Sequence, residues 1–494
     1  MTRAFLDALR TTFLANGPRD ALVHQGRTLT YHELDAGVSR AAAWLQGLGL
    51  AKGDRVVLCT ADKLAFMLAH LATLHAGGVC LPLNPRFTRE ELRFFLSDSG
   101  ARVAVAGGES RMLLESLKPE LPDLRSIVAD AAFLDAPDGA WRDPGVSAQD
   151  PCLLVYSSGT TGWPKGIVHD HGGVLSGLAA LADCWRMAPS DRVLNVLPLY
   201  HIHGLCFASQ LSLLTGACLL LEEFEPRQTL QSLTSCTVFM AVPTIYYRLL
   251  ELAEFREARA AWPNVRLFTC GSAPIRPEVL PELEAVLGRP VINRYGMTEA
   301  LVITSLPLAG PWPMGSVGLP LAGIEVRVQA GAAPAEGARA GEVGSVQVRG
   351  TNLFREYWKQ PEATRTAFET AWFETGDLGF RDEAGFLTLV GRKNDLIITS
   401  GYNVYPQVVE RVLNSCPGVR ESAVVGVPDP LKGERVAAFV VRADATLTEH
   451  DLRAHLRERL IDYQRPKDVV FLEALPRNSM GKVLRRELRE RLKT

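Results

Sequence analysis

Short apolar runs alternate with stretches of helical period through the first four hundred residues. Residues 55–59, Arg-Val-Val-Leu-Cys, read as a buried strand, and 64–72 read as an apolar helix. Residues 78–83 give the next strand and 89–95 a charged helix, and strands recur at 237–242 and 265–270. Strand–helix–strand repetition predicts parallel sheets covered by helices. From Ile324 the period changes to two, at 324–328 and again at 344–348. That alternation predicts a β-rich subdomain with one face in water. A polar stretch, Gly391-Arg392-Lys393-Asn394-Asp395, then separates two apolar runs. Beyond it a helix over 406–413, strands over 421–427 and 436–441, and helices after Glu449 and Val483 make an α+β unit. The expected architecture is α/β. A large N-terminal domain (1–391) of helix-covered sheets plus the β-rich subdomain is followed by a hinge (392–395). A small α+β C-terminal lid (396–494) completes it. The Ala/Gly-rich segment 331–341 is expected to be a surface loop.

Composition narrows the function classes. A chain of 494 residues, 47% apolar and 22% charged, is ordinary for a multi-domain globular protein. Its net charge of −2 gives no global field that favours nucleic acid. The nine cysteines are odd in number, scattered and never in a C-x-x-C pair, which argues for reduced thiols in a cytoplasm. Residues 1–9 read as an amphipathic helix broken by charge, without the pattern of a signal peptide. No apolar run approaches the roughly 20 residues that cross a bilayer.

The densest chemical signal is Tyr156-Ser157-Ser158-Gly159-Thr160-Thr161-Gly162-Trp163-Pro164-Lys165-Gly166, which follows the strand-like Leu153-Leu154-Val155. Backbone N–H groups freed by glycine, hydroxyls and one lysine together make a cradle for phosphate oxygens. A Walker loop needs Gly before its lysine and Ser or Thr after it. Here Pro164 precedes Lys165 and Gly166 follows, so the P-loop reading fails.

This loop resembles the signature loop of the adenylate-forming superfamily, which contains acyl-CoA synthetases, luciferases and peptide-synthetase adenylation domains. Four further segments resemble that family in its own order. In Asn293-Arg294-Tyr295-Gly296-Met297-Thr298-Glu299 the resemblance implies that Tyr295 stacks on adenine, Thr298 contacts the α-phosphate beside Gly296, and Glu299 helps hold Mg²⁺ together with Thr160. Gly271-Ser272-Ala273-Pro274 resembles the loop that touches adenine and the acyl group. Trp372-Phe373-Glu374-Thr375-Gly376-Asp377 resembles the segment whose aspartate bonds both ribose hydroxyls, and Arg392 matches the arginine that also reaches the ribose. Pro476-Arg477-Asn478-Ser479-Met480-Gly481-Lys482 resembles the loop carrying the catalytic lysine. The chain is therefore identified as similar to AMP-forming acid–CoA ligases. Within them, Pro198-Leu199-Tyr200-His201-Ile202-His203-Gly204-Leu205, Pro243-Thr244-Ile245-Tyr246-Tyr247-Arg248-Leu249-Leu250 and Val404-Tyr405-Pro406 resemble the malonyl-CoA synthetase and fatty-acyl-CoA ligase group.

The resemblance implies ATP, Mg²⁺ and coenzyme A. A carboxylate attacks the α-phosphorus of ATP to give acyl-AMP and pyrophosphate, and a thiol then takes the acyl group and releases AMP. Ser157, Ser158, Gly159, Thr160, Thr161, Gly162 and Lys165 are expected around the phosphates, Lys482 at the reacting groups, and Ser400-Gly401-Tyr402 along the pantetheine path. Asn394 stands at the family's hinge position, where Asp or Lys is usual. His201 matches the residue near the acyl carbonyl, and Arg248 and Trp312 are expected in the acyl pocket. Malonyl enzymes carry an arginine before the Gly-x-Val-Gly turn. Here Pro311-Trp312-Pro313-Met314 has no basic residue, which favours an apolar or aromatic acid over malonate unless Arg248 supplies the charge. The rival readings are loading of a carrier-protein thiol and a non-catalytic ligand-binding protein. Residues 476–482 also fit the Pro-x-x-x-x-Gly-Lys pattern that lysine acetyltransferases recognise in bacterial members, which makes Lys482 a candidate modification site.

Overall fold

The computed structural model describes residues 4–157, 164–330, 338–477 and 483–492. The fold is mixed α/β: a large N-terminal domain of sheets and helices and a smaller C-terminal domain.

Strand Arg55–Cys59 pairs in parallel with Val79–Pro82 on one side and Val103–Ala106 on the other, as the apolar runs predict. They sit in a seven-stranded sheet whose other end carries the antiparallel pair Pro151–Ser157 and Lys165–Asp170. A nine-stranded sheet takes its parallel centre from Arg192–Asn195, Cys218–Leu221, Val238–Ala241, Leu267–Cys270 and Val291–Met297. Helix Lys63–His75 shows why these sheets belong to one body: all its residues are buried, and a helix apolar all round must be covered all round. Even Lys63 is inside, its ammonium hydrogen-bonded to the Glu222 carbonyl and 3.6 Å from a Glu223 carboxylate oxygen.

The change to period two after Ile324 gives the expected antiparallel sheet. Ile324–Gln329, Gly344–Gly350, Phe373–Arg381 and Leu387–Arg392 make four strands, with Val326, Val328, Val346 and Val348 turned inward. Arg392 ends the last of these strands, and Lys393–Asp395 is a single 3₁₀ turn. Beyond it the small domain builds a five-stranded sheet around the long hairpin Val419–Asp429 and Gly433–Arg442. Helices Pro406–Asn414, Glu449–Arg457 and Arg485–Glu490 lie where the sequence put them. Of the segment 331–341, residues 331–337 lie outside the described residues. No described helix is long and apolar enough to cross a membrane. All nine cysteines are free thiols, and all but Cys184 are buried.

Candidate functional site

The signature loop joins two antiparallel strands. Ser157 and Lys165 face each other across the last rung before it, and Lys165 Nζ lies 5.3 Å from the centre of the Tyr357 ring. Ser158, Gly159, Thr160, Thr161 and Gly162, and likewise Lys482, lie outside the described residues.

Strand Val291–Met297 organises the rest. Successive side chains of a strand point to opposite faces, so Arg294 and Tyr295 look in opposite directions. Tyr295 donates its hydroxyl to Asp377 Oδ2 at 2.5 Å, and Arg392 Nε lies 2.6 Å from Asp377 Oδ1. Asp377 and Arg392 are themselves directly opposed on neighbouring strands of the four-stranded sheet. Burial and then the Asp377 charge push the Tyr295 hydroxyl well above its usual range, so it stays protonated and remains a donor. Gly296 is a steric necessity: a Cβ there would stand 2.1 Å from the Leu301 carbonyl oxygen. Without a side chain the backbone folds back through Thr298–Ala300 into the antiparallel strand Leu301–Ser305.

Three groups that sequence reasoning missed hold this turn. His169 Nε2 lies 2.7 Å from the Thr298 carbonyl, the Phe354 N–H donates to the Glu299 carbonyl at 2.7 Å, and Asn352 donates to the Ala300 carbonyl. The Glu299 carboxylate lies 3.5 Å from the Tyr357 hydroxyl. Burial drives His169 down to about 4, so it is neutral and its Nε2–H is a fixed donor.

On the other face of the strand stands a second group. Arg294, only 3% exposed, donates from Nη2 to Ser272 Oγ at 3.3 Å and stacks its guanidinium 4.7 Å from the centre of the Phe207 ring. Ser272 Oγ is also 3.2 Å from His203 Nδ1. The loop carrying Ser272 is strained: its φ is +69°, a left-handed value that non-glycine residues adopt at a cost. Gly271 lets the loop lie on Arg294, since a Cβ there would come within 2.7 Å of Cζ. His203 begins a π-helical turn, His203–Gln210, a distortion often found at functional sites. Asn195 clamps that turn by donating to the Gly204 carbonyl at 2.9 Å. His201 lies two residues earlier, its ring 4.5 Å from that of Tyr200.

The remaining expected residues fall elsewhere. Arg248 is exposed and stacks over Phe224, because helix Pro243–Leu250 turns Ile245, Tyr246, Leu249 and Leu250 inward. Arg248, expected in the acyl pocket, thus faces outward in this structure, whereas Arg294 is buried. Trp312 is half-buried against Gly310, with its indole N–H unpartnered. Ala273 is exposed, as are Ser400, Gly401 and Tyr402. The Tyr402 ring lies 4.5 Å from that of Tyr463, nearly parallel to it. The structure thus brings Tyr295, Asp377 and Arg392 into one contact group and Ser272, His203 and Arg294 into another. The Ser400–Tyr402 segment is in neither.

The family model described as AMP-binding enzyme matches residues 10–358, and the AMP-binding enzyme C-terminal domain matches 408–482. The chain belongs to the AMP-binding enzyme family. It is 34% identical over 476 residues to a long-chain-fatty-acid–CoA ligase of Mycobacterium tuberculosis, covering 94% of this chain and 93% of the relative. It is 36% identical to a feruloyl-CoA synthase of Amycolatopsis, covering 95% of each. Among solved structures, ATP-bound MatB from Rhodopseudomonas palustris superposes with a TM-score of 0.94 at 35% identity, covering 100% of this chain and 99% of that one.

Proposed function

We propose that the protein is an acid–CoA ligase that joins a carboxylic acid to AMP and then to coenzyme A, releasing pyrophosphate and AMP. The observation that carries this reading is the Tyr295–Asp377–Arg392 group at the junction of two sheets, in a chain whose two parts each match a model of the AMP-binding family.

The Asp377 carboxylate, which Tyr295 and Arg392 hold in place, is the acceptor assigned to the ribose hydroxyls. Tyr295 then presents its ring to adenine, while Gly271, Ser272 and Ala273 border the base and the acyl group. Ser157, the hydroxyls and amides of 158–162, Lys165 and Thr298 supply the phosphate contacts. Glu299 is the carboxylate of the turn, and one carboxylate plus phosphate oxygens is the oxygen-only set that magnesium prefers. Bound there with Thr160, the ion would neutralise charge on the polyphosphate. Among the described residues no cluster of three or more His, Cys, Asp or Glu forms a separate protein-only metal cage. Lys482 is assigned to the charge that develops between the attacking carboxylate and the α-phosphorus. His201 stands beside the acyl carbonyl.

The boundary at 392–395 is the pivot on which residues 396–494 turn between the two half-reactions, exchanging Lys482 for Ser400, Gly401 and Tyr402. Acetylation of Lys482 by a lysine acetyltransferase would remove its charge and stop the first half-reaction alone. The free, buried thiols suit a cytoplasmic setting.

A carboxylate panel with ATP, Mg²⁺ and CoA tests the assignment. AMP, pyrophosphate and thioester should appear in equal amounts and only with acid present. Formation of ADP, or nucleotide turnover indifferent to acid, contradicts it. A requirement for a carrier-protein thiol in place of CoA would move the acceptor and leave the first step intact.

A further inference from the structure

Between described residues, a single side-chain hydrogen bond joins the large domain before Arg392 to the small domain after Asp395. Arg276 Nη1 donates to the Arg420 carbonyl at 3.1 Å. Arg276 is half-buried and closes the loop that carries the strained Ser272. Its main chain is fixed there, the N–H donating to the Tyr247 hydroxyl at 3.0 Å. Its guanidinium lies 4.6 Å from the centre of the same Tyr247 ring, a cation–π contact that sets its direction. On the other side, Arg420 sits at an irregularity in strand Val419–Asp429. Val419 is opposite Arg442 and Glu421 is opposite Val441, so Arg420 has no residue facing it. A bulge leaves its extra residue outside the ladder, and here the carbonyl of that residue ends on Arg276.

The next residue carries the contact onward. Glu421 pairs with Arg477, in the segment that leads to Lys482. Arg477 forms a β-bridge with Val483, and the Leu484 N–H donates to the Pro476 carbonyl at 2.8 Å. The two described ends of the Lys482 segment are thereby pinned together on the small domain. A path of contacts runs from the Gly271–Ala273 loop, assigned to the base and the acyl group, through Arg276, Arg420, Glu421 and Arg477 to the foot of that segment.

We infer that Arg276 is a positioning residue for the first half-reaction. Through Arg420, Glu421 and Arg477 it holds the small domain in the orientation that presents Lys482, and it lets go when that domain turns for the second half-reaction. The inference rests on the acid–CoA ligase reading and goes beyond it, since Arg276, Arg420 and Glu421 stand in none of the motifs assigned above. The contact has the strength the task needs. One hydrogen bond with a charge on one side biases an equilibrium between two domain orientations by about 10- to 100-fold, enough to favour one without locking it. Its placement also suits the task, because Arg276 follows the loop assigned to the substrates and so couples their seat to the orientation of the lysine segment.

The test uses the full-length protein and the acid of the panel above that gives the fastest AMP release. Single-turnover release of pyrophosphate without CoA reads the first half-reaction. Thioester formation from the corresponding synthetic acyl-AMP reads the second. Arg276→Met keeps an apolar stem and loses the donor. It should slow the first half-reaction about tenfold or more and leave the second as fast or faster, because weakening one orientation raises the population of the other. Arg276→Lys, which keeps a charge and a donor, should recover part of the loss. Glu421→Gln, on the far side of the contact, should split the two halves in the same direction. A first half-reaction at the parental rate in Arg276→Met overturns the inference. So does an equal slowing of both halves, the mark of an arginine that only supports the scaffold. Should Arg276→Met prove insoluble, Glu421→Gln decides: the same split supports the inference, and a parental or evenly slowed profile overturns it. If the wild type releases pyrophosphate with acid and the variants match it, the inference falls and the ligase reading stands. If no acid promotes release from the wild type, both fall.

Discussion

The Tyr295 hydroxyl donates to Asp377 at 2.5 Å, and through that contact the nine-stranded sheet meets the four-stranded one. The two residues are 82 positions apart in the chain, and a third, Arg392, reaches the same carboxylate from the next strand. The proposed nucleotide site is thus made where two sheets converge, and the second of them leads directly into the connection to the small domain.

Removing the phenol should separate these functions. Tyr295→Phe keeps the ring and loses the bond to a charged acceptor, a change worth about 1.5–3 kcal/mol. The account expects KM for ATP to rise about tenfold or more, with a smaller change in kcat. Asp377→Asn should cost more, because Arg392 loses its charged partner as well. Steady-state turnover with ATP varied at saturating acid and CoA measures both variants.

Gly296→Ala should not be tolerated. The new methyl would stand 2.1 Å from a backbone carbonyl, and backbone cannot rotate aside as a side chain can. The expected loss exceeds the roughly 1–3 kcal/mol of ordinary overpacking and should appear as insoluble protein or a sharply lowered Tm. Gly47→Ala, at a glycine with open space around it and no left-handed φ, controls for the general cost of an added methyl.

Acid should destabilise the protein well above the carboxylate range. Burial holds His70 at about 3, His75, His169 and His171 at about 4, and His203 well below its usual value. All five are neutral when folded and take up protons near pH 6.5 when unfolded, so stability is full above 6.5 and falls as pH drops below it. Each histidine contributes a loss of about 1.4 kcal/mol by pH 5.5. Asp35 and Asp170, raised mainly by burial, act in the opposite sense but are fewer. Urea midpoints measured from pH 7.5 to 5 should fall steadily, and a flat profile would contradict the buried neutral histidines.

Asp395 ties the connection to the last helix. Arg489 lies 3.4 Å and Arg485 4.0 Å from its two oxygens, and Arg485 also pairs with Glu410. Helix Arg485–Glu490 follows the Lys482 loop closely in sequence, so Asp395→Ala should loosen the presentation of Lys482. The expected result is a lower rate of acyl-AMP formation, by roughly tenfold, the scale of a 1.4 kcal/mol change in barrier. Thioester formation from supplied acyl-AMP should suffer less. Single-turnover kinetics of the two halves resolve this.

Much of the fold was legible because period and composition report burial. The runs at 56–59 and 238–241 are apolar throughout because both faces are covered, and Ile324–Gln329 alternates because one is not. Helix Pro243–Leu250 follows the same logic, with Ile245, Tyr246, Leu249 and Leu250 inward and Arg248 outward. Arg294 was hidden differently. It lay inside a segment whose resemblance was already noted, but its burial against Ser272 and Phe207 is set by distant parts of the chain, which only the tertiary structure displays. His169 and Asn352 were silent for the same reason: each acts on a backbone carbonyl far away in sequence, and a carbonyl has no sequence signature.

The central claim is that a carboxylate oxygen attacks the α-phosphorus of ATP. Turnover with an acid labelled with ¹⁸O in both carboxylate oxygens, in the presence of CoA, tests it most directly. The oxygen that bonds phosphorus must leave with AMP when the thiol displaces it, so the account predicts AMP carrying one ¹⁸O and unlabelled pyrophosphate. Unlabelled AMP, or label in phosphate or pyrophosphate, would contradict it.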